Sequence, residues 1–157
     1  MQIRELSARN EAELKEALSL VWAVFSEFEA PEYVPEGISV FREFISFDSI
    51  IKMLEQGTLR LWVSYNGEFL TGVIAVRGQG HISLLFVRRE YHRRGIARAL
   101  FAVVEENCKS AVMDTITVNS SPFAAGAYHS LGFIDTGKET EINGIRFIPM
   151  KYEMHLS

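Results

Sequence analysis

Apolar positions recur at two different spacings along this chain, and the change between them divides it. In the first third Leu14, Ala17, Leu18, Val21, Phe25 and Phe28 follow one another at helical spacing, which predicts a helix with one buried face. Asn10 is the expected cap, with Glu13 three residues later as a capping box requires. Gln2 to Leu6 predicts a short strand ahead of it, and Ala30-Pro31 stops it. APEYVPEG, Ala30 to Gly37, carries two prolines and reads as a loop. A second helical region covers about Ser39 to Gln56 and breaks near Ser46-Phe47, where Asp48 can cap a new turn and Gly57 can end it.

Strand signals then take over. Leu59 to Tyr65 is followed by Asn66-Gly67, a two-residue hairpin signal, and Glu68 to Arg77 returns. Gly78-Gln79-Gly80 turns the chain again into His81 to Val87. Gly95 to Ser110 restores helical spacing, with Ile96, Ala99, Leu100, Val103 and Val104 on the inner face. Asp114 to Val118 predicts a strand, and Ser121-Pro122 opens a helix that ends near Leu131-Gly132. Phe133 to Ile142, the turn Asn143-Gly144 and Ile145 to His155 predict a closing hairpin. The order is mixed α+β, with strand, helix and strand alternating in the middle.

Composition narrows the class. At 157 residues the chain is long enough for one domain with a real core, which predicts a single domain over 1–157. Hydrophobic residues at 48% and charged residues at 23% are ordinary for a globular protein. No apolar run approaches the roughly 20 residues of a membrane span, and the charged start MQIRELSARNEAELK does not resemble a secretory signal. Cys108 is the sole cysteine, so an intramolecular disulfide is ruled out and a cytoplasmic location is expected. His81, His92, His129 and His155 show no zinc-ligand spacing, so no metal is expected. The net charge of -4 argues against a nucleic-acid binder.

Against that acidic background, LLFVRREYHRRGIARALF (Leu84 to Phe101) places five arginines within the eleven positions from Arg88 to Arg98. A strand ends at Val87, a polar loop follows, and a helix begins near Gly95. Such a helix start offers unpaired amides and the positive end of a dipole to an anion. Gly95 and the small Ala97 allow close approach, and arginines add charge-assisted contacts to phosphate. Taken singly, each arginine reads as a solvated surface residue. Taken as a unit, the loop reads as a phosphate cradle. It is not a P-loop, which needs Gly-Lys-Ser/Thr, nor a dinucleotide fingerprint, since Gly78-Gln79-Gly80 leads into a strand. The cluster also lacks the interleaved aromatics of a nucleic-acid surface.

His92-Arg93-Arg94-Gly95-Ile96-Ala97 resembles the acetyl-coenzyme A loop of the GNAT superfamily of N-acetyltransferases, whose signature is Gln or Arg, two residues, Gly, one residue, then Gly or Ala. His92 in the first place departs from it. NSSPFAAGAYHSLGF, Asn119 to Phe133, resembles the family's second cofactor motif: Ala124, Tyr128, Gly132 and Phe133 match, while Ser121 stands where asparagine is usual and Asn119 lies two residues earlier. The resemblance is good over about Leu59 to Phe133. It implies a GNAT-type fold with a central, mostly antiparallel mixed sheet of about seven strands flanked by helices.

It also implies roles. Acetyl-coenzyme A would be the co-substrate, its pantetheine arm along Leu85, Phe86 and Val87 and its pyrophosphate on the amides of Arg93 to Arg98, with Arg93, Arg94 and Arg98 better placed than Arg88 and Arg89. Asn119, Ser121 and Ala124 would line it. Tyr128, a phenol with an ordinary pKa near 10, would protonate the leaving thiolate. The reaction would be direct acetyl transfer to a primary amine of a small molecule. The alternatives are acetylation of a protein N-terminus or lysine, or a non-catalytic acetyl-coenzyme A sensor. An alkylamine near pKa 10.4 is neutral about once in 10³ molecules at pH 7, so a base or water chain is needed. The family often uses a glutamate on the central strand, but Leu84, Leu85 and Phe86 supply none. His81, which by strand alternation shares a face with Ser83, is one candidate. Glu29, Glu32 and Glu36, with Tyr33, are the others, on the loop that commonly walls the acceptor site. Glu29, Tyr33 and Ser83 are thus expected to contact the acceptor. The closing hairpin offers an edge for a homodimer.

Overall fold

The computed structural model describes residues 1–154. His155 lies outside them. Eight strands form a mostly antiparallel sheet: β1 (Gln2–Leu6), β2 (Leu59–Asn66), β3 (Phe69–Arg77), β4 (His81–Val87), β5 (Thr115–Ser120), β6 (Ile134–Asp135), β7 (Thr140–Ile142) and β8 (Ile145–Glu153). Their order across the sheet is β1-β2-β3-β4-β5-β8-β6, with β7 paired to β8. Helices α1 (Glu11–Phe28), α2 (Pro35–Phe44) and α3 (Phe47–Gln56) cover one face, and α4 (Ile96–Ser110) and α5 (Ala125–Leu131) the other.

Two separate cores follow from strand alternation. Leu59, Leu61 and Val63 of β2 meet Leu14, Val21 and Phe25 of α1 on one face, whereas Trp62 points to the other and joins Leu100, Val104 and Met150. The alternation is broken twice, at Thr71, which is skipped between the pairs Ser64–Gly72 and Tyr65–Leu70, and at Ser83, which matters for the site. Ala75 pairs with Leu84 and Val76 with Ile82, so Ser83 stands unopposed in a β-bulge. His81 and Ser83 are therefore not simple same-face neighbours, as strict alternation would have them.

Other departures from the sequence pattern have local causes. Asn10 forms no capping box: its Oδ1 accepts from Ser7 N at 2.9 Å, and Glu13 is drawn to the Tyr65 hydroxyl at 2.5 Å. Ser46, not Asp48, caps α3, its Oγ accepting from Ser49 N at 3.2 Å. Helix α2 starts at Pro35 rather than Ser39, because proline suits the first turn and Val34 before it is extended. The first hairpin turns at Gly67-Glu68, since Asn66 still pairs with Phe69. Helix α5 starts at Ala125, after a turn over Ser121 to Ala124. The expected strand from Phe133 to Ile142 is split into β6 and β7, which makes the strands eight. Thr136 N donates to Pro149 O at 2.8 Å, but Pro149 has no N–H to return, and the ladder ends there.

Candidate active site

The site begins where the sheet comes apart. Strands β4 and β5 are the parallel pair, and they are joined only at His81 with Thr117 and Ile82 with Val118. Beyond Ile82 the two diverge, so β4 from Ser83 to Val87 has β3 on one side and an open edge on the other. A cleft of about 280 Å³ occupies the gap. From β4 come His81, Ser83, Leu85 and Phe86; from β5 and the turn after it, Asn119, Ser121 and Ala124; from α5, Tyr128; and from the chain after α1, Glu29 and Tyr33. These residues were separate candidates in the sequence, and the fold brings all of them to one wall or another of the same space.

The α1 side is shaped by one 3₁₀ turn over Ala30–Glu32, closed by Glu32 N to Glu29 O at 2.9 Å and Tyr33 N to Ala30 O at 3.0 Å. With three residues per turn it sets Glu29 and Glu32 on the same side. Glu32 Oε1 accepts from Phe123 N at 3.1 Å and so ties this turn to the start of α5. Glu29 lines the cleft, whereas Glu36 is exposed on α2. Burial pushes the Glu29 carboxyl up to about 7, with the Glu32 charge adding to the rise and a hydrogen bond from Ser121 opposing it. Tyr128 is buried, with its ring edge-on to Phe133 at 5.4 Å, and burial followed by the Glu29 charge raises its phenol well above the ordinary value. The Tyr33 phenol is raised for the same reasons, burial first, then Glu29 and Glu32. His81 Nδ1 is 2.8 Å from Thr117 Oγ1, and burial, then the Arg77 charge, lowers that imidazole.

The arginine loop lies beyond the open edge of β4 and has a shape of its own. Gly95 is the residue before α4 and sits at φ 80°, in the left-handed region, with Arg93 also left-handed at φ 61°. The first helical bond runs from Ala99 N to Gly95 O at 3.0 Å, which leaves the amides of Ile96, Ala97 and Arg98 ahead of it. A side-chain carbon placed on Gly95 would meet nothing within 4 Å, so the space beside this residue is open. Such a left-handed turn opening a helix is a concavity suited to a phosphate.

The arginines of the loop divide. Arg88 Nε donates to Leu70 O at 3.0 Å and Arg89 pairs with Glu27 at 3.0 Å, so both are held by the protein. Arg98 donates to Ser130 O at 3.0 Å, and Arg94 lies over the Tyr91 ring at 5.2 Å. Arg93 and Arg94 are exposed. His92 Nε2 donates to Val87 O at 2.7 Å, and its ring lies 5.2 Å from Phe28, which in turn stacks on Phe123 at 5.1 Å. His92 therefore fastens the loop to the end of β4 and to the α1 wall.

Some lining residues carried no signal in the sequence. Val40, Phe41 and Phe44 of α2, Ile145 of β8 and Arg77 at the end of β3 also face the cleft. The helical spacing of the α2 residues predicts only a buried face, and Arg77 looks like a strand end before Gly78.

Comparison with known proteins gives the family. The model of the acetyltransferase (GNAT) domain matches residues 29–154, and the chain belongs to the GNAT acetyltransferases. It is an N-acetyltransferase, and the family's co-substrate is acetyl-coenzyme A. Among solved structures, a GCN5-related N-acetyltransferase from Rhodopseudomonas palustris superimposes with a TM-score of 0.81 at 17% identity, covering 98% of this chain and 95% of that one. The PaiA N-acetyltransferase of Thermoplasma acidophilum, in complex with coenzyme A, gives 0.78 at 18%, with 98% and 100% covered. An aminoglycoside 6'-N-acetyltransferase complexed with coenzyme A gives 0.73 at 15%, with 98% and 97% covered. At these identities the likeness is one of fold. None of the curated proteins compared with the chain matches it.

The residues present suit the co-substrate: an open strand edge at Leu85 to Val87, and an amide cradle with room above it at Gly95. No helix among the described residues is long and apolar enough to cross a membrane, and they contain no cluster of three metal-ligating side chains.

Proposed function

We propose that this enzyme transfers an acetyl group directly from acetyl-coenzyme A to a primary amine of a small molecule, with Glu29 taking the amine's proton and Tyr128 protonating the departing thiolate. The observation that carries this reading is that a carboxylate raised to about 7 and a buried phenol line the same cleft, which runs along the open edge of β4. The bound co-substrate supplies the acetyl thioester, and the protein supplies position and proton transfer.

In this reading Glu29 receives the acceptor as an ammonium ion, attracts it, and removes a proton to free the nucleophile. A base near pH 7 is well matched to that task. Its charge is also one of the two causes of the raised Tyr128 phenol. Once Glu29 is protonated that repulsion is gone, and Tyr128 becomes the stronger acid when the thiolate needs a proton. His81, the other candidate base, has its Nδ1 engaged with Thr117 at the closed end of the split between strands.

A small acceptor is favoured by the way the cleft is walled. Gly37 of α2 and Gly144 in the β7–β8 turn approach backbone to backbone: a side-chain carbon on Gly37 would fall 2.1 Å from Gly144 O. Arg146 Nη1 also reaches Glu32 O at 3.5 Å. A polypeptide acceptor would need a passage between these walls.

The test is the pH dependence of kcat/KM for an alkylamine, read by free-thiol release. With carboxylate and ammonium as the reactive pair, the rate rises tenfold per pH unit up to about 7, is level from there to the amine pKa near 10.4, and falls beyond it. Glu29→Gln should lower the rate at pH 7 about 10²-fold and replace the break near 7 with a steady tenfold rise per pH unit up to the amine pKa, because only neutral amine then reacts. A break that survives Glu29→Gln assigns the base elsewhere.

A further inference from the structure

The cleft has opposite charge at its two ends, and the acetyltransferase reading accounts for one of them. At the inner end Glu29 stands by Ser121 and Tyr128, with Glu32 on the same turn. At the other end, where β4 and β5 are still paired, Arg77 closes β3 in register with His81, and both line the cleft. The Arg77 guanidinium lies over the Phe44 ring at 5.8 Å and makes no ion pair among the described residues. Between the ends Val40, Phe41, Phe86 and Ile145 make the wall largely apolar.

Ser83 adds a second, independent observation. It is the unopposed residue of the β4 bulge and lines the cleft, and among the described residues its hydroxyl is the buried side-chain polar atom with no hydrogen-bond partner. An unpartnered buried hydroxyl is costly, and a polar occupant of the cleft would satisfy it.

We infer that the acceptor is an amino-carboxylate, with its amine at Glu29, an apolar body against α2, and its carboxylate on Arg77, with Ser83 and His81 beside it. This rests on the small-amine reading above and names the class within it. A guanidinium binds a carboxylate through two parallel bonds, which a lone amine cannot exploit. A zwitterion also matches the field of the cleft at both ends, whereas a simple alkylamine matches one. The Phe44 ring, 5.8 Å from the guanidinium carbon, favours a cation at that position.

Matched acceptors test this without changing the reacting amine: 6-aminohexanoate against hexylamine, and 4-(aminomethyl)benzoate against benzylamine, each assayed for thiol release. The expected kcat/KM ratio within each pair is about tenfold or more in favour of the carboxylate. Arg77→Met should bring both ratios to within about twofold of one, and Arg77→Lys should leave an intermediate ratio, since lysine keeps the charge without the fork. Arg77 is exposed, so neither variant opens a core. A ratio near one in the wild type, or a tenfold ratio that survives Arg77→Met, overturns the inference and leaves the acetyltransferase reading standing. Thiol release with none of the four amines overturns the small-amine reading and the inference with it.

Discussion

In the proposed assignment the two sides of the cleft would recognise their molecules by different means. On the co-substrate side the groups on offer belong to the backbone: the open edge of β4 and the amides that follow Gly95. On the proposed acceptor side they are side chains, Glu29, Ser83, Arg77 and His81, delivered by a 3₁₀ turn, a bulge and two strand ends. Backbone recognition asks of a sequence only small residues and a turn at fixed spacing. Side-chain recognition asks for particular groups converging from distant segments. The first can be shared by every enzyme using one co-substrate, while the second is free to change with each acceptor.

The largest separation between the two sides should come from Tyr128→Phe. The ring stays packed on Phe133 and this cleft-lining residue loses only its hydroxyl, so turnover should fall about 10²-fold. Coenzyme A should still raise Tm as it does in the wild type, because the cradle is untouched. Loss of the Tm shift along with turnover would mean that Tyr128 serves binding rather than proton transfer.

The reverse dissection uses Gly95. Its φ of 80° lies where L side chains are strained, yet space around it is open, so a substitution acts through conformation and not through a clash. Gly95→Val should cost about 1–2 kcal/mol of cradle geometry and weaken coenzyme A binding about 5–30-fold. Gly95→Asn should cost less, since asparagine tolerates the left-handed region. Titration calorimetry compares the two. Equal losses for valine and asparagine would argue that the missing side chain, not the backbone shape, is what matters at this position.

The same division explains what could be read from the sequence. Gly95 and Ala97 stand out because a backbone site leaves a spacing pattern, and the turn Asn143-Gly144 stands out because both residues need positive φ and both have it, at 54° and 79°. The acceptor wall left no comparable trace. Glu29, Glu32 and Glu36 look alike in the sequence; the 3₁₀ turn sets Glu29 along the cleft and Glu32 on Phe123 N, while Glu36 falls on α2 and stays exposed. Ser83 was visible by alternation, but the bulge that leaves its hydroxyl unpartnered depends on pairing with β3 across the turn. Arg77 was invisible, because a charged residue at a strand end before glycine is ordinary. The split of β6 from β7 likewise depends on Pro149, which is far away in sequence and adjacent in the sheet.

The smallest expected effect concerns the feature most conspicuous in the sequence, the arginines. Arg88, Arg89 and Arg98 already have protein partners in Leu70, Glu27 and Ser130. Arg94 is exposed over Tyr91, and Arg93 is exposed beside it, so a phosphate would be met by these two from solvent. An exposed charge contributes little and is screened by salt. Arg94→Ala should therefore weaken coenzyme A binding only about two- to fivefold at low ionic strength, and the difference should vanish near 1 M salt, where the screening length is about 3 Å. Gly95→Val should keep its penalty at both ionic strengths, since strain in the backbone is not screened. If Arg94→Ala instead outweighs Gly95→Val and persists in salt, the loop binds through its side chains, and the contrast between the two walls of the cleft fails on the co-substrate side.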